Sequence, residues 1–227
     1  MNVVGQIVDD DRREIDSHAT KILWIRKGAF EQIHHESNYN IYWGQTGVLR
    51  SWKVDESVAV EFRNRLNTKV SWTEEFKRFE KDFRNRQVGF DLGYNTRQYQ
   101  SITTGLQVGR NFDADYLLWT ALARYKVTSE LSTEYSLQRL ELTPDPQGQS
   151  TWIHVVRTNQ FFTKDLFVRL FLQTNSAIDR NNVQVVFVYR YQPPFGTIQF
   201  AYQRGTAAFG QQSTQGNTLF VKATTVF

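Results

Sequence analysis

Apolar and polar residues alternate along many short segments of this sequence. In QVGFDLGY, residues 87–94, Val88, Phe90, Leu92 and Tyr94 are separated by polar residues or glycine. Successive side chains of a β-strand point to opposite faces, so this pattern predicts a strand with one apolar and one polar face. The pattern recurs at 131–137, 165–173, 182–191 and 197–204. We therefore predict an antiparallel all-β protein.

Strands of this kind suit a protein that crosses a membrane. The longest apolar run, VVFVY at 185–189, is far shorter than the roughly 18 residues that a membrane helix needs. Aromatic residues nevertheless make up 15% of the chain, although its mean hydropathy is only -0.51. A transmembrane β-barrel produces this mixture because each strand faces lipid on one side and a polar lumen on the other.

The segments and their connections indicate an up-and-down transmembrane β-barrel of about twelve strands. The predicted strands are 20–34, 48–62, 66–79, 86–94, 97–109, 115–126, 131–142, 151–161, 165–175, 182–192, 197–204 and 218–227. Reading back from the C-terminus, short and long connections alternate, as periplasmic turns and outer loops do in such barrels. An even count places both termini on the periplasmic side. Pairing of the first and last strands is expected to close the barrel, since an open edge is costly in hydrocarbon.

The chain length of 227 residues suits one domain. We predict a poorly ordered or periplasmic segment at 1–18 and the barrel domain at 19–227. The N-terminal residues MNVVGQIVDDDRREIDSH lack the basic start, apolar stretch and cleavage site of an export signal, so the expectation is a mature chain or a fragment.

Composition argues against several kinds of function. The chain has no cysteine, which excludes disulfides and thiol catalysis. Its net charge of +4 comes from cations interspersed with carboxylates, which argues against nucleic-acid binding. Four histidines, His18, His34, His35 and His154, are scattered, and the adjacent pair points to opposite faces, so no metal site is predicted. No catalytic or cofactor-binding motif is recognisable, and we expect no cofactor and no enzyme activity.

The polar sides of the strands predict the lining of the lumen. Paired charges that fill the lumen are favoured over a wet pore, because about twelve strands enclose an intermediate interior. The candidates are Glu61, Glu75, Lys77, Asp91, Arg124, Glu134, Arg169, Gln173, Gln184, Arg190, Gln199 and Gln203.

The last segment, TLFVKATTVF, has an apolar residue at alternate positions and ends on an aromatic residue. Leu219, Val221, Ala223 and Phe227 resemble the C-terminal signal by which the barrel assembly machinery recognises outer-membrane barrels. Thr225 departs from that signal, which usually has a larger apolar residue there.

The last third of the chain also resembles a known group. Its cues are FTKDL at 162–166, FLQTN at 171–175, SAIDR at 176–180, YRYQPPFG at 189–196 and IQFAY at 198–202. A weaker similarity, through GYNTRQYQS and NFDADYLLW, reaches back to about residue 48. The region resembles the C-terminal β-barrel of uncharacterised bacterial outer-membrane proteins that carry an N-terminal carbohydrate-binding family-9-like domain. The resemblance implies an outer-membrane location and a link to carbohydrate.

The resulting hypothesis is a non-catalytic outer-membrane barrel that anchors a longer protein or passes a small solute. Its partners would be outer-membrane lipid, the assembly machinery and a carbohydrate or other small solute. Two alternatives remain: a soluble β-barrel that binds an apolar ligand, and a hydrolase borne on the barrel with carboxylates from Glu61, Glu75, Asp91 or Glu134.

Overall fold

Thirteen strands within the described part of the chain form one antiparallel meander sheet, which confirms the all-β prediction. The computed structural model describes residues 13–145, 149–177, 180–192, 196–205 and 216–225. The strands are β1 (Arg13–Lys27), β2 (Phe30–Trp43), β3 (Leu49–Phe62), β4 (Leu66–Arg78), β5 (Asp82–Tyr94), β6 (Ser101–Asn111), β7 (Ala114–Lys126), β8 (Leu131–Thr143), β9 (Thr151–Phe161), β10 (Leu166–Asn175), β11 (Arg180–Gln192), β12 (Gly196–Gly205) and β13 (Gly216–Thr225). Each strand lies beside its neighbours in sequence.

The predicted count of about twelve strands is corrected at the N-terminal end. The segment predicted at 20–34 contains a tight turn, at which Lys27 pairs with Phe30 and Gly28 adopts a φ of 60°. It therefore belongs to two strands, β1 and β2. Both strands mix polar and apolar residues on each face, so alternation alone did not reveal the turn. β1 begins at Arg13, ahead of the predicted domain boundary at residue 19.

The predicted closure of the first strand onto the last is not found. The strand order places β1 and β13 at the two ends of the sheet, and no ladder joins them within the described part of the chain. Every residue of β1 is exposed. Periodicity reports the faces of a strand but not its neighbour in space, so it could not test closure. The odd strand count also removes the argument that placed both termini on one side.

The predicted alternation of short and long connections fails between β4 and β7. The connection 95–100 is longer than the two that flank it, 79–81 and 112–113. It is an ordered turn, in which the Asn95 amide donates to the Gln98 side chain at 3.2 Å and the Gln98 N–H donates to the Asn95 carbonyl at 2.9 Å. β5 begins at Asp82, earlier than predicted, which shortens the connection before it.

The chain divides into two compact units. The first unit comprises Met1–Asp91 and Gln107–Tyr116, and the second comprises Leu92–Leu106 and Leu117–Phe227. In each unit, apart from β1 and β2, one face of the sheet is the more polar and the other the more apolar. The polar face of the first unit is the side of Ser71 and Gly89, and that of the second unit is the side of Glu134 and Arg157.

Burial is inverted relative to an ordinary soluble protein. In β5, the apolar side chains of Val88 and Phe90 are 50% and 48% exposed, whereas Asn85 on the polar face is 6% exposed. The hydrophobic residues buried within the described part of the chain are Phe76, Phe167 and Val188. Phe167 and Val188 are cross-strand partners on the polar face of the second unit. The apolar faces are therefore the ones left open.

Candidate functional site

Arginines and aromatic rings share the polar face of the second unit between β7 and β11. The register of β8, β9, β10 and β11 aligns Glu134, Arg157, Phe171 and Gln184 in one row across the sheet. Because side chains alternate along each strand, residues two positions away lie on the same face. Arg169 and Phe167 of β10 therefore lie on the same face as Phe171, next to this row.

Glu134 is the centre of an ion-paired triad. Arg124 of β7 donates to one carboxylate oxygen of Glu134, with 2.7 Å between Nε and Oε2. Arg157 of β9 donates to the other oxygen. Both oxygens of Glu134 thus accept charge-assisted hydrogen bonds, which hold the two flanking arginines in place.

Phe167 lies between two further arginines. Its side chain is only 2% exposed, and the guanidinium carbons of Arg169 and Arg190 lie 5.0 and 5.4 Å from its ring centroid. The guanidinium carbon of Arg157 lies 5.5 Å from the centroid of Phe171 in the same way. A guanidinium stacked over a ring keeps its N–H groups in the plane of the guanidinium, where they remain able to donate.

Few carboxylates balance these cations. The strands of the second unit contain two carboxylates, Glu134 and Glu141, within the described residues. Glu141 pairs with Arg139 on the apolar face. Neither Arg169 nor Arg190 has an ion-pair partner among the described residues. The cationic side chains on this polar face are Arg124, Lys126, Arg157, Arg169, Arg190 and Lys222. The polar face of the second unit is therefore strongly cationic.

The polar face of the first unit is richer in carboxylates. Glu75 accepts a hydrogen bond from Asn85 at 2.9 Å and forms an ion pair with Lys77 at 2.8 Å. Asn85 in turn accepts a hydrogen bond from the backbone N–H of Phe112 at 2.7 Å, which fixes its amide. The carboxylates on this face are Glu14, Asp16, Glu36, Asp55, Glu61, Glu75 and Asp91, and the lysines are Lys53, Lys69 and Lys77.

A polar cluster interrupts the apolar face of the first unit. The carboxylate of Glu56 accepts hydrogen bonds from Ser37 and Tyr39 and contacts His35 Nε2 at 2.9 Å. Glu74 lies on the same face, paired across the sheet with Val54. The sequence placed Glu74 on a face with Val70, Trp72 and Phe76, and the register agrees. Ser37 and Tyr39 both donate to the carboxylate of Glu56 and not to the imidazole of His35, so the cluster lacks the order of a nucleophilic triad.

All twelve predicted lumen candidates lie on polar faces. Glu61, Glu75, Lys77 and Asp91 share that of the first unit, and the remaining eight share that of the second. Their role as a lumen lining remains a prediction. Sequence reasoning missed Arg157 and Phe167. β9 alternates poorly, and Arg157 is recognisable only from its cross-strand pairing with Glu134, which no single segment encodes.

The four histidines lie apart. His18 bonds to Asn38, His35 to Glu56 and His154 to Tyr135, while His34 lies 3.6 Å from Glu36. Within the described part of the chain, no group of three or more histidine or acidic side chains is placed to hold a metal ion.

The predicted assembly signal lies partly in β13. Leu219, Val221 and Ala223 share its apolar face, opposite Tyr202, Phe200 and Ile198 of β12. Phe227 lies outside the described residues. No helix in the described part of the chain has the length and apolar character required to cross a membrane.

No protein family and no curated protein matches this chain. The function must therefore be argued from the two faces of the strands.

Proposed function

We propose that the sheet lies in the bacterial outer membrane, with its apolar face against lipid and its polar face toward water. In this role it is a non-catalytic membrane domain that anchors a longer protein or passes a small solute. The inverted burial carries the proposal: the apolar side chains of β5 are half exposed, while the polar face is the more enclosed one.

An exposed apolar surface of this extent has a high cost in water. Transfer of apolar area out of water is favourable by about 25 cal/mol per Å², and soluble monomers seldom expose contiguous apolar patches above a few hundred Å². In the first unit, β5 and β6 expose Val88, Phe90 and Val108. In the second unit, they expose Leu92, Tyr94, Ile102 and Leu106. Lipid covers such a surface without requiring a protein partner.

The length of the strands agrees with membrane insertion, and the open edges of the sheet add a requirement to it. Strands of 10 to 15 residues reach or exceed the roughly 9 to 11 residues needed by a tilted strand to cross the apolar layer. Unpaired backbone groups cannot persist in hydrocarbon. In the membrane, the outer edges of β1 and β13 of this open sheet therefore require a backbone partner.

The polar cluster around Glu56 limits where lipid contact is expected. A charge that faces mid-bilayer lipid is unfavourable, by about 2 to 4 kcal/mol for arginine or lysine and by less for a carboxylate. Glu56 and Glu74 lie near the middle of β3 and in β4, whereas the apolar faces of β10 and β11 carry no charged side chain within the described residues. We assign lipid contact first to β5, β6 and β10–β12.

Both alternatives have specific weaknesses. A soluble carrier of an apolar ligand encloses its apolar face, which is the reverse of the burial in β5. Glycoside hydrolysis requires two converging carboxylates, one of them able to supply a proton. Glu134 has both oxygens occupied by arginine donors, and Glu75 is engaged by Lys77 and Asn85.

The link to carbohydrate rests on the resemblance of the last third of the chain. In the proteins that it resembles, a carbohydrate-binding domain precedes the barrel. We propose that this chain serves the same purpose as a membrane anchor for such a domain.

Two neighbouring substitutions in β5 test membrane insertion. Phe90→Arg places a charge on the apolar face, and Asp91→Arg places the same side chain on the polar face. In refolded protein bound to lipid vesicles, Phe90→Arg should lower the free energy of unfolding by about 2 to 4 kcal/mol, and Asp91→Arg by much less. Urea titration followed by tryptophan fluorescence measures both.

Flotation of the vesicles on a density gradient provides the control for insertion. The unaltered protein should float with the lipid. A protein that stays at the bottom without detergent, and that tolerates Phe90→Arg as well as Asp91→Arg, would contradict the membrane assignment.

A further inference from the structure

We infer that the polar face of the second unit binds small solutes that carry oxyanion groups, carboxylate or phosphate, through the arginines around Phe167. The inference rests on the proposed function, since it assigns a class of solute to the water-facing side. It identifies the binding surface as Arg157, Arg169, Arg190, Phe167 and Phe171.

The first argument is the excess of positive charge on this face. Glu134 is the only carboxylate on it among the described strand residues, and Arg124 and Arg157 already surround it. Paired charges that neutralise one another, as the sequence favoured, would have left a balanced surface. A surface lined by one sign of charge raises the local concentration of solutes of the opposite sign.

The second argument is that the arginines are preorganised. Phe167, which is 2% exposed, holds Arg169 and Arg190 at 5.0 and 5.4 Å from its ring. The backbone N–H of Arg190 donates to the Asp165 carbonyl at 2.8 Å, which fixes the strand at that point. Holding side chains in place before binding lowers the entropic cost of binding.

The third argument is geometric. A planar guanidinium donates two parallel N–H bonds to a carboxylate or a phosphate. Arg169 of β10 and Arg190 of β11 both place their guanidinium carbons within 5.4 Å of the Phe167 ring centroid, and Arg157 lies on β9, the next strand on the other side of β10. A solute with several oxyanion groups can contact more than one of them. A neutral sugar can accept single hydrogen bonds through its hydroxyls, but it has no oxyanion to accept two parallel N–H bonds or to respond to the positive charge.

The test is calorimetric titration of the refolded full chain in detergent micelles with citrate, with inorganic phosphate and with neutral maltotriose. Citrate or phosphate should bind, with an affinity that falls as ionic strength rises, and maltotriose should not. In the variant that combines Arg169→Gln with Arg190→Gln, binding should weaken roughly tenfold or more, because the charge-assisted hydrogen bonds from these two side chains to the oxyanion are lost.

Two further variants make the test specific. Arg139→Gln removes an arginine that also stacks on a ring, Trp152, but on the apolar face, and it should leave binding unchanged. Glu134→Gln removes the negative charge that competes with the solute but keeps an amide oxygen that can accept a hydrogen bond from Arg157, so it should tighten binding roughly threefold. Affinity should thus stay unchanged in Arg139→Gln and rise in Glu134→Gln. A general loss of stability cannot raise the affinity.

Vesicle flotation of the same preparations tests the membrane assignment separately from anion binding. Protein that floats with lipid but binds neither anion, or binds both equally well after loss of Arg169 and Arg190, overturns this inference and leaves the membrane assignment intact. Protein that fails to float overturns the membrane assignment, and the inference with it. Binding of only one of the two anions supports the inference and identifies the oxyanion.

Discussion

Phe167 is a phenylalanine that is buried on the polar face, with the guanidinium groups of two arginines close to its ring. Replacing it with alanine removes both the buried ring and the support for Arg169 and Arg190. Phe167→Ala should lower the free energy of unfolding by about 3 to 5 kcal/mol. Urea titration of the protein in micelles measures the loss.

Phe162 supplies a matched control for that substitution. It lies in the turn before β10 with its side chain 59% exposed. Phe162→Ala should change the stability by no more than about 0.5 kcal/mol. Equal losses at the two positions would mean that the ring of Phe167 is not enclosed as described.

The turn between β7 and β8 contains a carboxylate whose titration can be followed separately. Hydrogen bonds from Ser129 and then Thr128 lower the pKa of Glu130 below its ordinary value of 4.5. Because the pKa is lowered in the folded state, this contribution to stability is fully present above the unfolded pKa. It is lost as the pH falls through the folded pKa.

Carboxyl NMR titration should therefore show a pKa for Glu130 below 4.5, and Ser129→Ala should move it back toward that value. Thr163→Ala, in the next turn on that end of the second unit, is the control and should leave Glu130 unchanged. A Glu130 pKa that Ser129→Ala does not raise would contradict the hydrogen bond.

At the scale of the element, close contact between neighbouring strands restricts Gly109 of β6. A Cβ atom at this position would lie 2.4 Å from the backbone oxygen of Arg86 and 3.0 Å from the ring of Tyr116. The backbone oxygen cannot move away without disturbing β5. Gly109→Ala should destabilise the protein by about 1 to 3 kcal/mol.

Gly216 at the start of β13 offers the comparison, because a Cβ atom there would meet nothing within 4 Å. Gly216→Ala should be close to neutral in the same unfolding measurement. If Gly109→Ala were as mild as Gly216→Ala, β5 and β6 would be further apart than the structure shows.

The elements also show how far the sequence can predict this fold. Alternation is a local property, so it identified strands such as β5 and β11 and the faces of all twelve lumen candidates. The turn between β1 and β2 was missed because neither strand has a purely apolar face. Arg157 was missed because its importance depends on Glu134 in another strand. Sheet closure was predicted wrongly because pairing between distant strands leaves no periodic signal.

At the scale of the whole molecule, the tryptophans can test the proposal that the apolar face meets lipid. Trp72 lies on the apolar face of the first unit, and Trp24 lies on the polar face of β1 with Arg26 over its ring. In vesicles of brominated lipid, fluorescence should be quenched relative to ordinary lipid. The quenched fraction should fall more in Trp72→Phe than in Trp24→Phe. Equal changes in the two variants would indicate that lipid does not contact the apolar face in preference to the polar face.

The number of strands has a consequence for the ends of the sheet. Each antiparallel strand reverses the direction of the chain, so an odd series starts at one rim of the sheet and finishes at the opposite rim. If the sheet spans a bilayer, an epitope joined ahead of Arg13 and one joined after Thr225 would emerge into different compartments. Antibody applied to intact cells would then reach only one of the two.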